Sequence, residues 1–242
     1  MTPKHAIQNM ALFCDFENVA LGVRDAKYAA FDIQTVVERL LLKGSIVVKK
    51  AYCDWGRYKE FKAPMHEAAF ELIDIPHVRM SGKNSADIRM VVDALDLCYT
   101  KAHVDTFVII SGDSDFSPLV SKLRENNKLV IGVGVKNSTS DLLTSNCDEF
   151  IYYDDLLRRA AAKPVRVAET GKKKDEPGEK KEQAVEQVLE IVRSLARDYE
   201  NVWGSMVKQT LGRVDPGFSH EYHGYKSFTA LLRELETRVA GL

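Results

Sequence analysis

A chain of 242 residues with 45% hydrophobic and 29% charged residues has apolar material for one large globular domain or two unequal ones. Its 34 Lys and Arg against 35 Asp and Glu leave a formal charge of −1, so no polyanion partner is announced by overall charge. No apolar run reaches the length of a membrane span and the N-terminus lacks signal-peptide order, which leads to the expectation of a cytoplasmic protein with no membrane partner.

Residues 10–158 alternate strand-like and helix-like segments. Residues 10–14 are a short apolar run ending at an acid. Residues 33–42 have helical spacing, with Ile33, Val36, Val37, Leu40 and Leu41 on one stripe and Gly44 just beyond. Residues 46–52 read as a strand, 63–72 as a helix with Pro64 in its first turn, and 78–80 as a short strand. Residues 86–98 place Ile88, Val91, Val92 and Leu95 on a helical face. Residues 107–110 are apolar on both faces, as a central parallel strand must be. A helix at 118–124 and strands at 129–135 and 150–153 complete the series. Strand and helix in repeated alternation, with short connections, predict an α/β domain over 1–158 with a mostly parallel sheet.

From residue 159 to 183 the pattern stops. AAAKPVRVAETGKKKDEPGEKKEQ is rich in Lys, Glu, Pro and Gly and reads as a charged flexible linker. It is also the basic part of the chain, with 8 Lys and Arg against 5 acids, whereas 1–158 carry 19 against 22 and 184–242 carry 7 against 8. Residues 184–242 hold an amphipathic helix through Val185, Val188, Leu189, Val192 and Leu195, then helical stretches near 203–211 and 227–235. The four cysteines, Cys14, Cys53, Cys98 and Cys147, have no CxxC spacing and no nearby His, and read as small buried thiols.

Three acidic features fall where a doubly wound sheet places its ligands, beyond the carboxyl ends of the strands. Asp15 closes the first strand in CDFEN, followed by Glu17 and Asn18. Asp113 and Asp115 follow the central strand, with Gly112 allowing a tight exit. Asp87 opens a helix, with Lys83 four residues earlier as a candidate phosphate contact. Taken singly, Asp113, Asp115 and Asp87 are ordinary helix caps, Lys83 a surface lysine, and Asp93 an ion-pair partner of Arg89. Taken together, acids from two strand ends and a helix start repel one another, and a hard divalent cation such as Mg²⁺ or Mn²⁺ offsets that. Such an ion suits phosphodiester cleavage. No GxGxxG follows a strand, no nucleophile elbow is present, and Glu17 stands where a haloacid-dehalogenase-type phosphatase needs a second Asp.

CDFEN, GKNSADIRMVVDAL and VIISGDSDFSPL resemble, in that order, the motifs of the NYN domain, the LabA-like branch of the PIN-like nucleases. VGVKNSTSDLLTSNCDEFIYYDDL resembles its closing segment, so the likeness covers roughly residues 9–158. The resemblance implies a PIN-like three-layer fold and a metal-dependent ribonuclease using Mg²⁺ or Mn²⁺. It implies Asp15, Asp87, Asp113 and Asp115 as metal-binding and catalytic residues, with Asn18 holding the neighbouring loop or touching substrate and Ser111 supporting the turn. The stretch VWGSMVKQTLGRVDPGFSHEYHGYKSFTALLRELE resembles the OST-HTH/LOTUS module, a small, mainly α, winged-helix-like domain. Its core would be Trp203, Met206, Val207, Leu211, Phe218, Tyr225, Phe228, Leu231 and Leu232. That likeness implies binding of single-stranded or structured RNA, or docking of a protein partner. The alternative for the whole chain is a non-catalytic regulator that binds RNA or protein.

Overall fold

Among the described residues six strands form one sheet: β1 (Gln8–Asp15), β2 (Gly44–Cys53), β3 (Glu71–Asp74), β4 (Thr106–Ile110), β5 (Leu129–Gly134) and β6 (Glu149–Tyr152). A computed structural model describes residues 8–76, 84–161 and 177–240, and in it the strand order is β3-β2-β1-β4-β5-β6. All neighbouring pairs are parallel. Parallel neighbours need crossovers, and helices supply them. α1 (Phe16–Asp25) and α2 (Ile33–Leu41) precede β2, α3 (Lys62–Glu67) precedes β3, and α4 (Ser85–Thr100) precedes β4. α5 (Ser117–Glu125) and α6 (Asp141–Asn146) serve β5 and β6, and α7 (Tyr153–Ala161) follows.

The order runs from β1 outward to β3, then resumes on the other side of β1 at β4. At that reversal, successive right-handed crossovers leave for opposite faces, and a crevice opens beyond the carboxyl ends of β1 and β4. Alternation along the strands covers both faces of the sheet. On one, Phe13, Phe107, Ile109 and Val130 meet Met90, Ala94 and Cys98 of α4 and Phe116, Leu119 and Leu123 around α5. The rings of Phe13 and Phe107 stack with centroids 6.0 Å apart. On the other, Leu12, Cys14, Val108 and Ile110 are fully buried as well. The result is the three-layer α/β architecture expected from the sequence.

Several local expectations are corrected. The helix anticipated at 63–72 ends at Glu67: Ala69 adopts a positive φ of 57°, and the chain enters β3 at Glu71. The strand expected at 78–80 lies outside the described residues. In α4 the buried side is Met90, Ala94 and Cys98, while Ile88 and Val92 are exposed. Small side chains at Ala94 and Cys98 let that side of α4 approach the sheet closely. Helices α1, α6 and α7 were not anticipated: α6 has only six residues, whereas α1 buries Phe16, Val19 and Val23 at a helical spacing that was present in the sequence.

A separate unit holds α8 (Pro177–Leu195), α9 (Gly204–Val214) and α10 (Phe228–Ala240). Its core joins Ala184, Val188 and Leu195 to Val207, Leu211, Tyr225, Phe228, Leu231 and Leu235, with Met206, Phe218 and Leu232 partly buried against it. Trp203, expected in this core, is instead 62% exposed. It occupies the cap position of α9 in an extended conformation (φ −94°, ψ 147°), so it is out of helical register with Val207. Both ends of the expected 159–183 linker are helical, α7 reaching Ala161 and α8 starting at Pro177, and its middle lies outside the described residues. Lys180 and Lys181, read as linker, lie on α8 over the rings of Tyr222 and Tyr225 at 4.3 and 5.3 Å. Lys172, Lys173 and Lys174 lie outside the described residues. Among the described residues of this unit there is no strand, so a wing is not part of what is seen.

Candidate functional site

Cys14 pairs with Ile110 in the β1–β4 register, so the next residues, Asp15 and Ser111, emerge side by side from adjacent strands. Asp15 caps α1, its Oδ1 accepting from the Asn18 backbone N–H at 3.3 Å. Its Oδ2 accepts from the Ser111 hydroxyl at 3.0 Å. Ser111 is fully buried, and its Oγ also accepts from the Asp113 N–H at 3.2 Å. One hydroxyl therefore ties the β1 acid to the loop carrying the β4 acid. The Asn18 side chain adds a second tie, its Oδ1 accepting from the Gly112 N–H at 2.9 Å.

Gly112 is required by close approach: a Cβ there would stand 2.4 Å from the Ser138 carbonyl oxygen. The Ser140 N–H donates to the Gly112 carbonyl at 2.9 Å, so the loop is held from both sides. Asp113 accepts from the Asp115 N–H at 2.9 Å and caps the 3₁₀ turn Ser114–Phe116 that leads into α5. Its capping role is thus real, and it is exercised at the crevice. Asp87 lies in the first turn of α4.

These acids feel one another. Burial pushes the Asp15 carboxyl up to about 7, and the Asp87 and Asp113 carboxylates add to the rise while hydrogen bonds from Ser111 and Asn18 oppose it. Asp15 is only 7% exposed. The Asp87 carboxyl is raised by burial, then by Asp113, Asp115 and Glu17. Among the described residues no Lys or Arg pairs with Asp15, Asp87, Asp113 or Asp115. The nearby arginines are engaged elsewhere, Arg57 with Glu17 at 3.2 Å and Arg89 with Asp93 at 2.9 Å. Asp93 is the ion-pair residue its spacing suggested, and it also accepts from the Tyr52 hydroxyl at 2.9 Å. Burial alone would raise its carboxyl, but the bonds from Tyr52 and Arg89 and the charge of Lys50 hold it below the usual carboxylate range.

The fold thus brings Asp15, Asp113 and Asp115 to the carboxyl ends of β1 and β4, tied by Ser111 and Asn18, with Asp87 in the first turn of α4 close enough to raise the Asp15 carboxyl. Among the described residues, however, no three Asp, Glu, His or Cys side chains stand in a ready-made metal cage. In donor chemistry the group nonetheless suits a hard divalent cation: all-oxygen ligands, excess negative charge and no compensating cation. Lys83 lies outside the described residues.

Unforeseen from the sequence is a cleft of about 700 Å³ that starts at Asp87 and Asp115 and runs between Ile88, Val92, Pro118 and Leu142. Ser117, at the first position of α5, lines it.

The family model of the NYN domain matches residues 9–157. The chain is 25% identical over 159 residues to an uncharacterized protein, MJ0482, of Methanocaldococcus jannaschii, covering 62% of this chain and 63% of that one. The chain thus spans less than two thirds of that relative's length. A crystal structure of a protein of unknown function, VPA0982, from Vibrio parahaemolyticus is similar with a TM-score of 0.56 and 28% identity, over 64% of this chain and 98% of that one.

Proposed function

The chain belongs to the NYN domain family of the PIN-like nuclease superfamily, and from that premise we propose that it is a metal-dependent ribonuclease hydrolysing RNA phosphodiester bonds at the carboxyl ends of β1 and β4. The observation that carries the reading is the buried Asp15 carboxyl, held by Ser111 and Asn18 among acids that no described basic residue neutralises. Asp15, Asp87, Asp113 and Asp115 would hold Mg²⁺ or Mn²⁺. When bound, the ion supplies charge neutralisation, polarisation of a phosphate oxygen and an activated water. The chain's own residues do the positioning. Ser111 fixes the Asp15 carboxylate and the Asp113 backbone together, and Asn18 holds the Gly112 turn against α1. Lys83 is proposed as a phosphate contact. The LabA-like assignment, the OST-HTH/LOTUS nature of the α8–α10 unit and a cytoplasmic setting belong to the same reading. Among the described residues no helix is long and apolar enough to cross a membrane.

The rival reading, a non-catalytic binder of RNA or protein, draws its support from the lack of a preformed metal cage among the described residues. Incubation of labelled single-stranded RNA with the protein in Mg²⁺, Mn²⁺ or EDTA separates the two. Cleavage that needs the metal supports the nuclease; intact RNA in every condition supports the binder.

Ser111→Ala should lower activity about 10- to 100-fold, the range for groups that orient a metal ligand, with added Mn²⁺ restoring part of the loss. Metal titrations of both proteins read this out, and an unchanged metal dependence would count against Ser111 as a positioning residue.

RNA affinity is proposed to come mainly from outside the acidic domain, from the 159–183 stretch and the α8–α10 unit. A chain ended within residues 162–176 should keep metal-dependent cleavage but show a higher KM on long RNA and a shallower salt dependence of binding. If KM and salt slope are unchanged, the α8–α10 unit serves a protein partner instead.

A further inference from the structure

The cleft beside the acids has features the cleavage reading does not use. Ile88, Val92 and Leu142 are 63%, 56% and 57% exposed, and all three converge on it. Single exposed aliphatics are ordinary, but three sharing one concavity form a surface that binds something. Ser117, only 7% exposed, lines the same cleft, and its hydroxyl has no hydrogen-bond partner. Buried hydroxyls are normally paired, and this one, itself shielded from solvent, reaches a partner in the cleft only by turning its side chain toward it.

We infer that this cleft seats one unpaired nucleobase of the RNA strand, next to the nucleotide whose phosphate meets the acids. The inference rests on the nuclease reading of the acidic edge, and three observations select the occupant. Asp87 and Asp115 belong to both the acid group and the cleft wall, so a base tethered to a phosphate at the acids is delivered to its mouth. Among the described lining residues there is no Lys, Arg or His, and the two carboxylates repel a bare phosphate or an acidic peptide. A base is neutral, presents apolar faces to Ile88, Val92 and Leu142, and offers edge groups that can pair with the Ser117 hydroxyl once that side chain rotates toward the cleft. A base within a duplex has its faces stacked and its edge paired, so only an unpaired one enters.

The test reads binding in Ca²⁺, a hard cation that neutralises the acids as Mg²⁺ would, with gel analysis confirming that the strand stays intact. Fluorescence anisotropy compares a short labelled RNA oligonucleotide with the same oligonucleotide carrying abasic ribose, on the full chain and on an Ile88→Asn, Val92→Asn double variant. Both positions are exposed and the changes are neutral, so fold and charge should persist, as circular dichroism checks. The parent should bind the abasic strand about tenfold more weakly, and the variant should bind both strands equally weakly. Ser117→Ala should reduce the discrimination without lowering the melting temperature, which a purely structural serine would not do. Equal binding of the two strands by the parent, no binding of either, or an equal loss for both in the variant would overturn the inference. So would a variant that only converts a dimer to a monomer in sedimentation, which would assign the face to a second copy. Failure of the nuclease reading shows separately, as absent metal-dependent cleavage by a parent that still discriminates between the strands.

Discussion

Asp15→Asn and Asp113→Asn are each expected to reduce metal-dependent RNA cleavage more than about 100-fold, beyond the range for groups that merely orient a ligand. Both substitutions keep the size of the side chain and remove its charge. An asparagine oxygen at position 15 can still accept from the Ser111 hydroxyl or the Asn18 N–H, and one at position 113 can still cap the turn through the Asp115 N–H. Folding should therefore survive while the negative charge that draws a cation is lost. Cleavage by either variant at the parent's rate, at matched metal concentration, would show that these acids hold no catalytic ion. Melting curves give an independent reading. Saturating Mn²⁺ should raise the parent's Tm, because a ligand bound by the folded state alone stabilises it, and should raise that of Asp15→Asn much less.

The second expected result concerns pH. Without metal, the parent should lose stability as pH rises, the reverse of the usual carboxylate pattern. A carboxyl held at about 7 in the folded chain and near 4 in the unfolded one binds its proton more tightly when folded. Its contribution is fully present below about pH 4 and is lost as pH rises through about 7. Asp87, also raised, adds in the same sense. For Asp15 the difference amounts to at most about 4 kcal/mol at high pH, or on the order of 10 °C in Tm for a domain of this size. Asp15→Asn, which resembles the protonated acid at every pH, should melt higher than the parent at pH 8 in EDTA, by a smaller margin at pH 5, and nearly equal to it only below about pH 4. A parent that gains stability between pH 5 and pH 8 relative to the variant would contradict the crowding of acids around Asp15.

The amino-acid sequence by itself determined the class of the fold and which acids lie at its strand ends. Residues 107–110 have no polar side to turn toward water, which makes a buried central strand the natural outcome, and β4 is buried throughout. Asp15, Asp113 and Asp115 follow strand-like runs directly, and Gly112 marks the turn, so their placement at strand ends was legible from local pattern alone. Only the tertiary structure decided what met what. Asp15 and Ser111 are 96 positions apart, and their contact exists because β1 pairs with β4 as well as β2, a choice among strand partners on which periodicity is silent. The apolar face read on α4, through Ile88 and Val92, is not the side that faces the sheet. Ile88 and Val92 share helical spacing just as Met90, Ala94 and Cys98 do, and close packing selected the second set and left the first to form a cleft. Trp203, which the OST-HTH/LOTUS likeness placed in the core, is exposed at the cap position just before α9 begins. Hydrophobic periodicity reports which residues can be buried along one element; pairing and packing between distant elements report which are, and those depend on shapes that only the assembled chain provides.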